Sequence, residues 1–312
     1  MLQARSSHNS GEANLAGLTT GNAPFNEAAH TRGEIYVAQP YELYSAENHR
    51  TWARLFQRMQ PYWERYATPR FREGQGKLGL LPDRIPKLDE INLQLRRLTG
   101  FQARAVAGYV PAYLFFDCLY RREFPTTITI RPATNLDYLP EPDIFHDVAG
   151  HVPMHSDAAF AEALVQFGAC AHAMAQAAAA DQGEAALHRL SNGVKAMARL
   201  FWFTVEFGLM RGEGGRLYAC GSGLLSSHGE LQHAMESAAV RREPFTLERV
   251  IHQTFDYDRY QMTLFVLDSF EQLFEAAARL EHSILEGTLG EVAPGQPETS
   301  DADLASFLRG GA

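Results

Sequence analysis

The chain has 312 residues, 46% hydrophobic and 21% charged, with a formal net charge of −9 at pH 7. That length can bury a substantial core in one large domain, and the acidic balance disfavours nucleic acid as a partner, since phosphate binding needs a basic face. Three cysteines, Cys118, Cys170 and Cys220, are odd in number and far apart, which excludes a disulfide framework or a cysteine zinc site and leaves buried thiols.

Residues 1–30 are rich in Ser, Asn, Gly, Ala and Thr with little apolar periodicity, and read as a disordered tail. They carry neither the apolar core of a signal peptide nor the arginine-rich pattern of a transit peptide. No stretch reaches eighteen uninterrupted apolar residues, so a soluble, cytoplasmic protein with no membrane partner is expected. Residues 31–287 then form a single domain with no dividing linker. Ala46 to Tyr66 places Trp52, Leu55, Phe56, Met59 and Trp63 on one helical face, interrupted near Pro61, and Leu88 to Leu98 repeats Ile91, Leu93, Leu95 and Leu98. Pro111 opens a helix over Ala112 to Arg121. Asp157 opens an alanine-rich helix reaching Ala180. Lys195 to Met210 is apolar nearly all round and reads as a buried helix. Ser269-Phe270-Glu271-Gln272 is a capping box that begins an amphipathic helix through Leu285. Strand signals are few: Thr126 to Ile130, Leu217 to Ala219 and Tyr260 to Leu267. Residues 288–312, running through Gly, Pro, Glu and Asp, read as a flexible tail without the heptads of a tetramerising coiled coil, so a monomer is expected. The fold class is mainly α, with small strands at the edge of a cleft.

The chemistry concentrates in Pro142-Asp143-Ile144-Phe145-His146-Asp147-Val148-Ala149-Gly150-His151 and in Glu206, a lone carboxylate in the apolar run Leu200 to Leu209. Two neutral imidazoles and one carboxylate leave adjacent coordination positions of ferrous iron open, as in non-heme iron oxygenases. On a continuous α-helix, residues five apart diverge by about 140°. The expectation is therefore a helix opened by Asp143 as N-cap and ended by Gly150 in a left-handed conformation, which lets His151 rejoin His146. Burying Glu206 costs several kcal/mol unless a cation compensates it; Arg199 or Arg211 is the alternative partner to a metal. His155, in the loop after Pro153, reads as solvent-facing.

These motifs, together with Thr99-Gly100-Phe101, Val106-Ala107-Gly108, Gly150-His151-Val152-Pro153, Trp202 to Gly208 and Gly223-Leu224-Leu225-Ser226-Ser227, resemble the pterin-dependent aromatic amino acid hydroxylases, most nearly the short bacterial phenylalanine hydroxylases. The resemblance implies a catalytic domain over 31–287, Fe(II) on His146, His151 and Glu206, a tetrahydropterin as electron donor and O2 as cosubstrate. It places the pterin by Phe115, by backbone near Gly108 and Val110, and by Asp147. It places the amino acid by Arg131 at the carboxylate, Leu139 and Pro142 at the wall, Trp202 and Phe207 around the ring, and Ser226 beside His146. Left to composition and periodicity, Phe115 reads as core.

Several positions depart from the family pattern. Trp202 favours a single-ring substrate. Tyr257 stands where the phenylalanine enzymes have a small β-branched residue, Phe201 replaces a tyrosine, and Ala149 replaces a bulky residue between the histidines. L-Phenylalanine to L-tyrosine is the expected reaction; meta-tyrosine formation and tryptophan 5-hydroxylation stay open. From other classes, a histidine-aspartate phosphohydrolase gives Glu206 no role, a zinc peptidase needs histidines four apart around a glutamate, and a non-catalytic homologue would have little reason to keep a buried charge.

Overall fold

The computed structural model describes residues 17–137, 142–180 and 183–310. The first helix, α1 (Pro24–Thr31), starts on a proline whose missing N–H costs nothing there. In α2 (Ala46–Tyr66) Ser45 and Asn48 cap each other reciprocally, and the buried face carries Trp52, Leu55, Phe56, Met59 and Trp63. The helix runs on through Pro61, so the expected interruption does not occur. Next come α3 (Pro69–Leu78), closed by left-handed Gly79, and α4 (Leu88–Leu98).

Strand β1 (Gln102–Val106), helix α5 (Ala112–Tyr120) and strand β2 (Glu123–Thr127) make a crossover unit in which the two strands pair in parallel. The strand expected at 126–130 is shifted toward the N-terminus. Ile128 and Ile130 lie beyond this ladder and are fully buried.

Residues Phe145–His151 form a π-helical turn, described below. The central helix α6 (Ala158–Ala180) begins at Asp157, whose carboxylate accepts the Phe160 N–H at 3.1 Å. By length and composition alone α6 could cross a bilayer. Here its phenylalanines, alanines and Met174 are buried among α5, α7 (Glu184–Phe201) and α11 (Phe270–Leu285), the packing of a core helix.

A second π turn, Trp202–Glu206, continues α7 directly. After it come β3 (Leu209–Arg211), β4 (Leu217–Ala219), α8 (Ser222–Leu225), α9 (His228–Glu236), β5 (Arg241–Pro244), α10 (Leu247–His252) and β6 (Thr263–Leu267). The sheet order is β4-β3-β6-β5, with only β3 and β4 antiparallel. Residues 260–262 of the third expected strand lie outside β6. Helix α11 carries the expected cap, Ser269 accepting the Gln272 N–H. The last helix is α12 (Asp301–Gly310).

The described parts of both expected tails belong to the body. Leu18 is fully buried, and the backbone of Leu18 and Thr20 brackets Ile130 with two hydrogen bonds of 2.8 Å. At the other end α12 packs on α5 and α6 with Phe307 fully buried. Low apolar content hid these contacts, because the first end anchors through Leu18 and a few backbone hydrogen bonds and the last through Phe307 and hydrogen bonds made with side chains. Cys118, Cys170 and Cys220 are free and buried.

Candidate active site

Both histidines sit on one short element whose hydrogen bonding solves the spacing problem. In the turn Phe145–His151 the backbone bonds i→i+5, seen also where the Val152 N–H reaches the Asp147 carbonyl at 3.1 Å, so residues five apart come to the same side. Asp143 does cap this turn, accepting the His146 N–H at 2.9 Å. Gly150, however, lies within the turn and is not left-handed. Its lack of a side chain serves close approach instead: a Cβ there would lie 3.0 Å from the Ser222 carbonyl oxygen and the Ser226 Cβ. The carboxylate uses the same device. Glu206 ends the turn Trp202–Glu206, where the Phe207 N–H reaches the Trp202 carbonyl at 2.8 Å.

Three donor groups converge. The Nε2 atoms of His146 and His151 are 3.1 Å apart, and Glu206 places Oε1 3.0 Å from His151 Nε2 and Oε2 3.6 Å from His146 Nε2. Asp147 supplies a second carboxylate, its ligand atom within 4.8 Å of both imidazoles, with Oδ2 accepting the Thr127 N–H at 2.6 Å. Neither arginine suggested for Glu206 reaches it: Arg199 donates to backbone carbonyls and Arg211 to Asp268. Burial pushes the His146 imidazole down to about 4, so its lone pair is available at neutral pH. The Glu206 carboxyl is raised by burial but pulled below its usual range by His151 and His146. Burial pushes Asp147 up to about 7. Ser226 Oγ lies 2.8 Å from His146 Nδ1; accepting from Nδ1–H there leaves the Nε2 lone pair facing the other donors, the tautomer that metal ligation needs. Two imidazoles and a carboxylate around one point, with no cationic side chain between them, form a donor set suited to a divalent metal ion.

His155 is not solvent-facing. It is fully buried among Phe101, Phe124 and Phe160, and neither ring nitrogen has a hydrogen-bond partner.

The donor cluster opens into a cavity of about 330 Å³. Arg131, Pro142, Trp202, Phe207, Ser226 and Tyr257, the residues the resemblance assigns to the amino acid, all line it; Leu139 lies outside the described residues. Arg131 is buried and held in a bidentate pair with Asp143, Nε and Nη2 donating at 2.8 and 2.9 Å, while Nη1 donates to the Asp137 carbonyl at 2.8 Å. Each of its two terminal nitrogens keeps one further N–H. Trp202 stacks on Phe255 at 4.1 Å and lies 4.5 Å from Phe207, so the ring is fixed on the cavity wall. Tyr257 is 56% exposed and stands at the rim.

Four lining residues, Phe116, Ala198, Phe255 and Pro297, escaped the sequence reading. Phe255 stands two residues from Tyr257 and was within reach of it. Pro297 was not legible at all, since its place depends on fully buried Arg199, whose guanidinium donates to the carbonyls of Ile251, Gly295 and Gln296 at 2.9 to 3.0 Å.

On the far side of His151 lies the segment expected to meet the pterin. Phe124 is 4.8 Å from the His151 ring and 6.1 Å from the Phe115 ring. Phe115 is half-buried, and its neighbours Phe116, Phe124 and Phe201 all meet it nearly perpendicular, so none of them stacks parallel to it. Gly108 leaves β1 with φ +100, a conformation that favours glycine, and a Cβ there would strike the His30 ring of α1 at 2.7 Å. Val110 follows, half-buried, just before α5.

A sequence profile of biopterin-dependent aromatic amino acid hydroxylases matches residues 38–285. The phenylalanine-4-hydroxylase of Chromobacterium violaceum is 39% identical over 259 residues, covering 80% of this chain and 79% of that protein. Its crystal structure with iron(III) and oxidised 7,8-dihydrobiopterin superimposes with a TM-score of 0.71 at 35% identity, over 86% of this chain and 91% of that one. Its structure with iron and phenylalanine gives a TM-score of 0.70 at 33% identity, over 86% and 92%.

Proposed function

The chain belongs to the biopterin-dependent aromatic amino acid hydroxylase family, and from that membership we propose that it converts L-phenylalanine to L-tyrosine, with iron on His146, His151 and Glu206 and a tetrahydropterin beside Phe115. The observation that carries the reading is the meeting of two imidazole Nε2 atoms and one carboxylate at 3.0 to 3.6 Å, at the floor of an aromatic-walled cavity that also holds a buried arginine. Glu206 is chosen over Asp147 as the third ligand because its two oxygens face both Nε2 atoms, whereas Asp147 is engaged by the Thr127 N–H.

Iron and the reduced pterin together supply the oxygen chemistry, one atom of O2 entering the aromatic ring and the other leaving on the pterin. The remaining work falls to the chain itself. Arg131 receives the substrate carboxylate with its two uncommitted N–H groups, a planar fork that matches two oxygens. Trp202, braced by Phe255 and Phe207, orients the ring, and the apolar walls exclude water around it. Ser226 holds His146 in the ligating tautomer. Gly108 and Val110 present backbone to the pterin, Phe115 its ring, and Asp147 a carboxyl placed between the pterin side and the metal donors. Trp202 favours one-ring substrates, and Tyr257 at the rim is the position assigned to specificity. The enzyme is taken to act as a monomer in the cytoplasm; a radius that grows with concentration would count against the first part.

Aerobic turnover of ferrous-loaded protein with a tetrahydropterin and each of phenylalanine, tyrosine and tryptophan tests the reading. Para-tyrosine from phenylalanine, lost together with bound iron in Glu206→Ala, is the expected result. Pterin oxidation without para-tyrosine would reject the substrate assignment, and retention of stoichiometric iron by Glu206→Ala would reject the ligand assignment.

A further inference from the structure

Helix α5 begins the way few helices do, because its N-cap position is Pro111, which has no side-chain oxygen to offer the unpaired N–H groups of the first turn. Those groups are met from α12, almost two hundred residues further along the chain. The Ala112 N–H donates to Asp303 Oδ1 at 3.2 Å, and the Tyr113 N–H donates to Ser306 Oγ at 3.2 Å. Asp303 Oδ1 also accepts the Tyr109 hydroxyl at 2.7 Å, and the Tyr113 hydroxyl donates to the Gly310 carbonyl at 3.0 Å.

The alternative is that Asp303 only caps its own helix, as the third residue after Ser300. The two carboxylate oxygens separate these roles. Oδ2 accepts the Ser300 hydroxyl at 2.6 Å and so serves α12, whereas Oδ1 is given over to the 109–112 segment. A carboxylate at the start of α5 is also favoured by the helix dipole. What Oδ1 holds in place is the stretch from Gly108 to Phe115.

We propose that Asp303 is a positioning residue for the pterin: by capping α5 from α12 and tying down Tyr109, it sets the Gly108–Phe115 segment against which the cofactor ring rests. This rests on the assignment of that segment to the pterin. Asp303 touches neither cofactor nor substrate, so its loss acts on the cofactor side and leaves the Arg131 end of the cavity as it was.

The test is a binding titration of 7,8-dihydrobiopterin, and separately of phenylalanine, into cobalt-loaded protein, alongside steady-state KM values for each with iron. Asp303→Ala is expected to weaken pterin binding about tenfold, the effect of a lost cap and charged hydrogen bond, with phenylalanine binding changed less than twofold. Asp303→Asn, whose amide oxygen can still accept from Ala112 and Tyr109, is expected to recover most of the loss. Equal weakening for both ligands, or an unchanged pterin Kd in folded Asp303→Ala, overturns the proposal. Should Asp303→Ala not fold, Ser306→Ala carries the same split at about threefold, and its absence there is equally decisive. Failure of the unaltered protein to bind the pterin while it still binds metal would instead overturn the assignment of the segment, and the proposal with it.

Discussion

The two sides of the active site are built by opposite means. On the metal side, the candidate donors come from two short π turns; Asp143 caps the first from three residues away, and Ser226 and Ser222, distant in sequence, pack against Gly150. On the cofactor side, the 108–115 segment is held from both ends of the described chain, by His30 of α1 at Gly108 and by Asp303 and Ser306 of α12 at α5. Both sides draw on residues distant in sequence, but each candidate metal donor sits on a turn with its own backbone hydrogen bonds. The 108–115 segment instead takes the cap of its helix from α12.

Removing Asp143 strikes the metal side hardest. Asp143→Ala leaves the Arg131 guanidinium buried without its carboxylate and uncaps the ligand turn, so a loss of about 3–5 kcal/mol is expected in urea unfolding at pH 7. A loss under 1 kcal/mol would mean the pair is not holding that side together. Metal loading sharpens the contrast next. Cobalt at a thousandfold above its Kd adds about 4 kcal/mol, and hydrogen exchange is expected to slow in 145–151 and 202–206 while the α5–α12 contact exchanges as before; uniform slowing would show the two sides to be one unit. Ser226→Ala frees the His146 ring to rotate and is expected to lower metal affinity roughly 10- to 100-fold, read by chelator competition, with thermal stability of the metal-free protein little changed. The smallest effect is expected at the rim. Tyr257→Val should shift the relative kcat/KM for phenylalanine, tyrosine and tryptophan by on the order of tenfold; unchanged ratios would remove Tyr257 from specificity.

The same division explains what could be read from the sequence. The faces of α2 and α4 and the cap of α11 follow from periodicity and from residue types within one or two turns of each other, and the candidacy of His146, His151 and Glu206 follows from residue types that carry metal chemistry. The manner in which the histidines meet did not follow: an α-helix broken at Gly150 and a π turn have the same letters, and only the backbone hydrogen bonds tell them apart. His155 was misjudged because a proline before it suggested a surface loop, while three phenylalanines distant in sequence enclose it. The chain ends were misjudged for the reason that makes Asp303 and Pro297 matter. Their partners lie some 96 to 191 residues away, and nothing in the local composition announces them.

Buried Arg199 gives this arrangement a direction in time. It stands about two turns before Glu206, on the helix that runs into the turn carrying that carboxylate, yet two of the three carbonyls it serves belong to Gly295 and Gln296. The chain is made from its N-terminus, and a domain folds as a unit. All three candidate donors are therefore synthesised while this guanidinium still lacks most of its acceptors, and the unit closes only when the wall at Pro297 and the cap on α5 have been added.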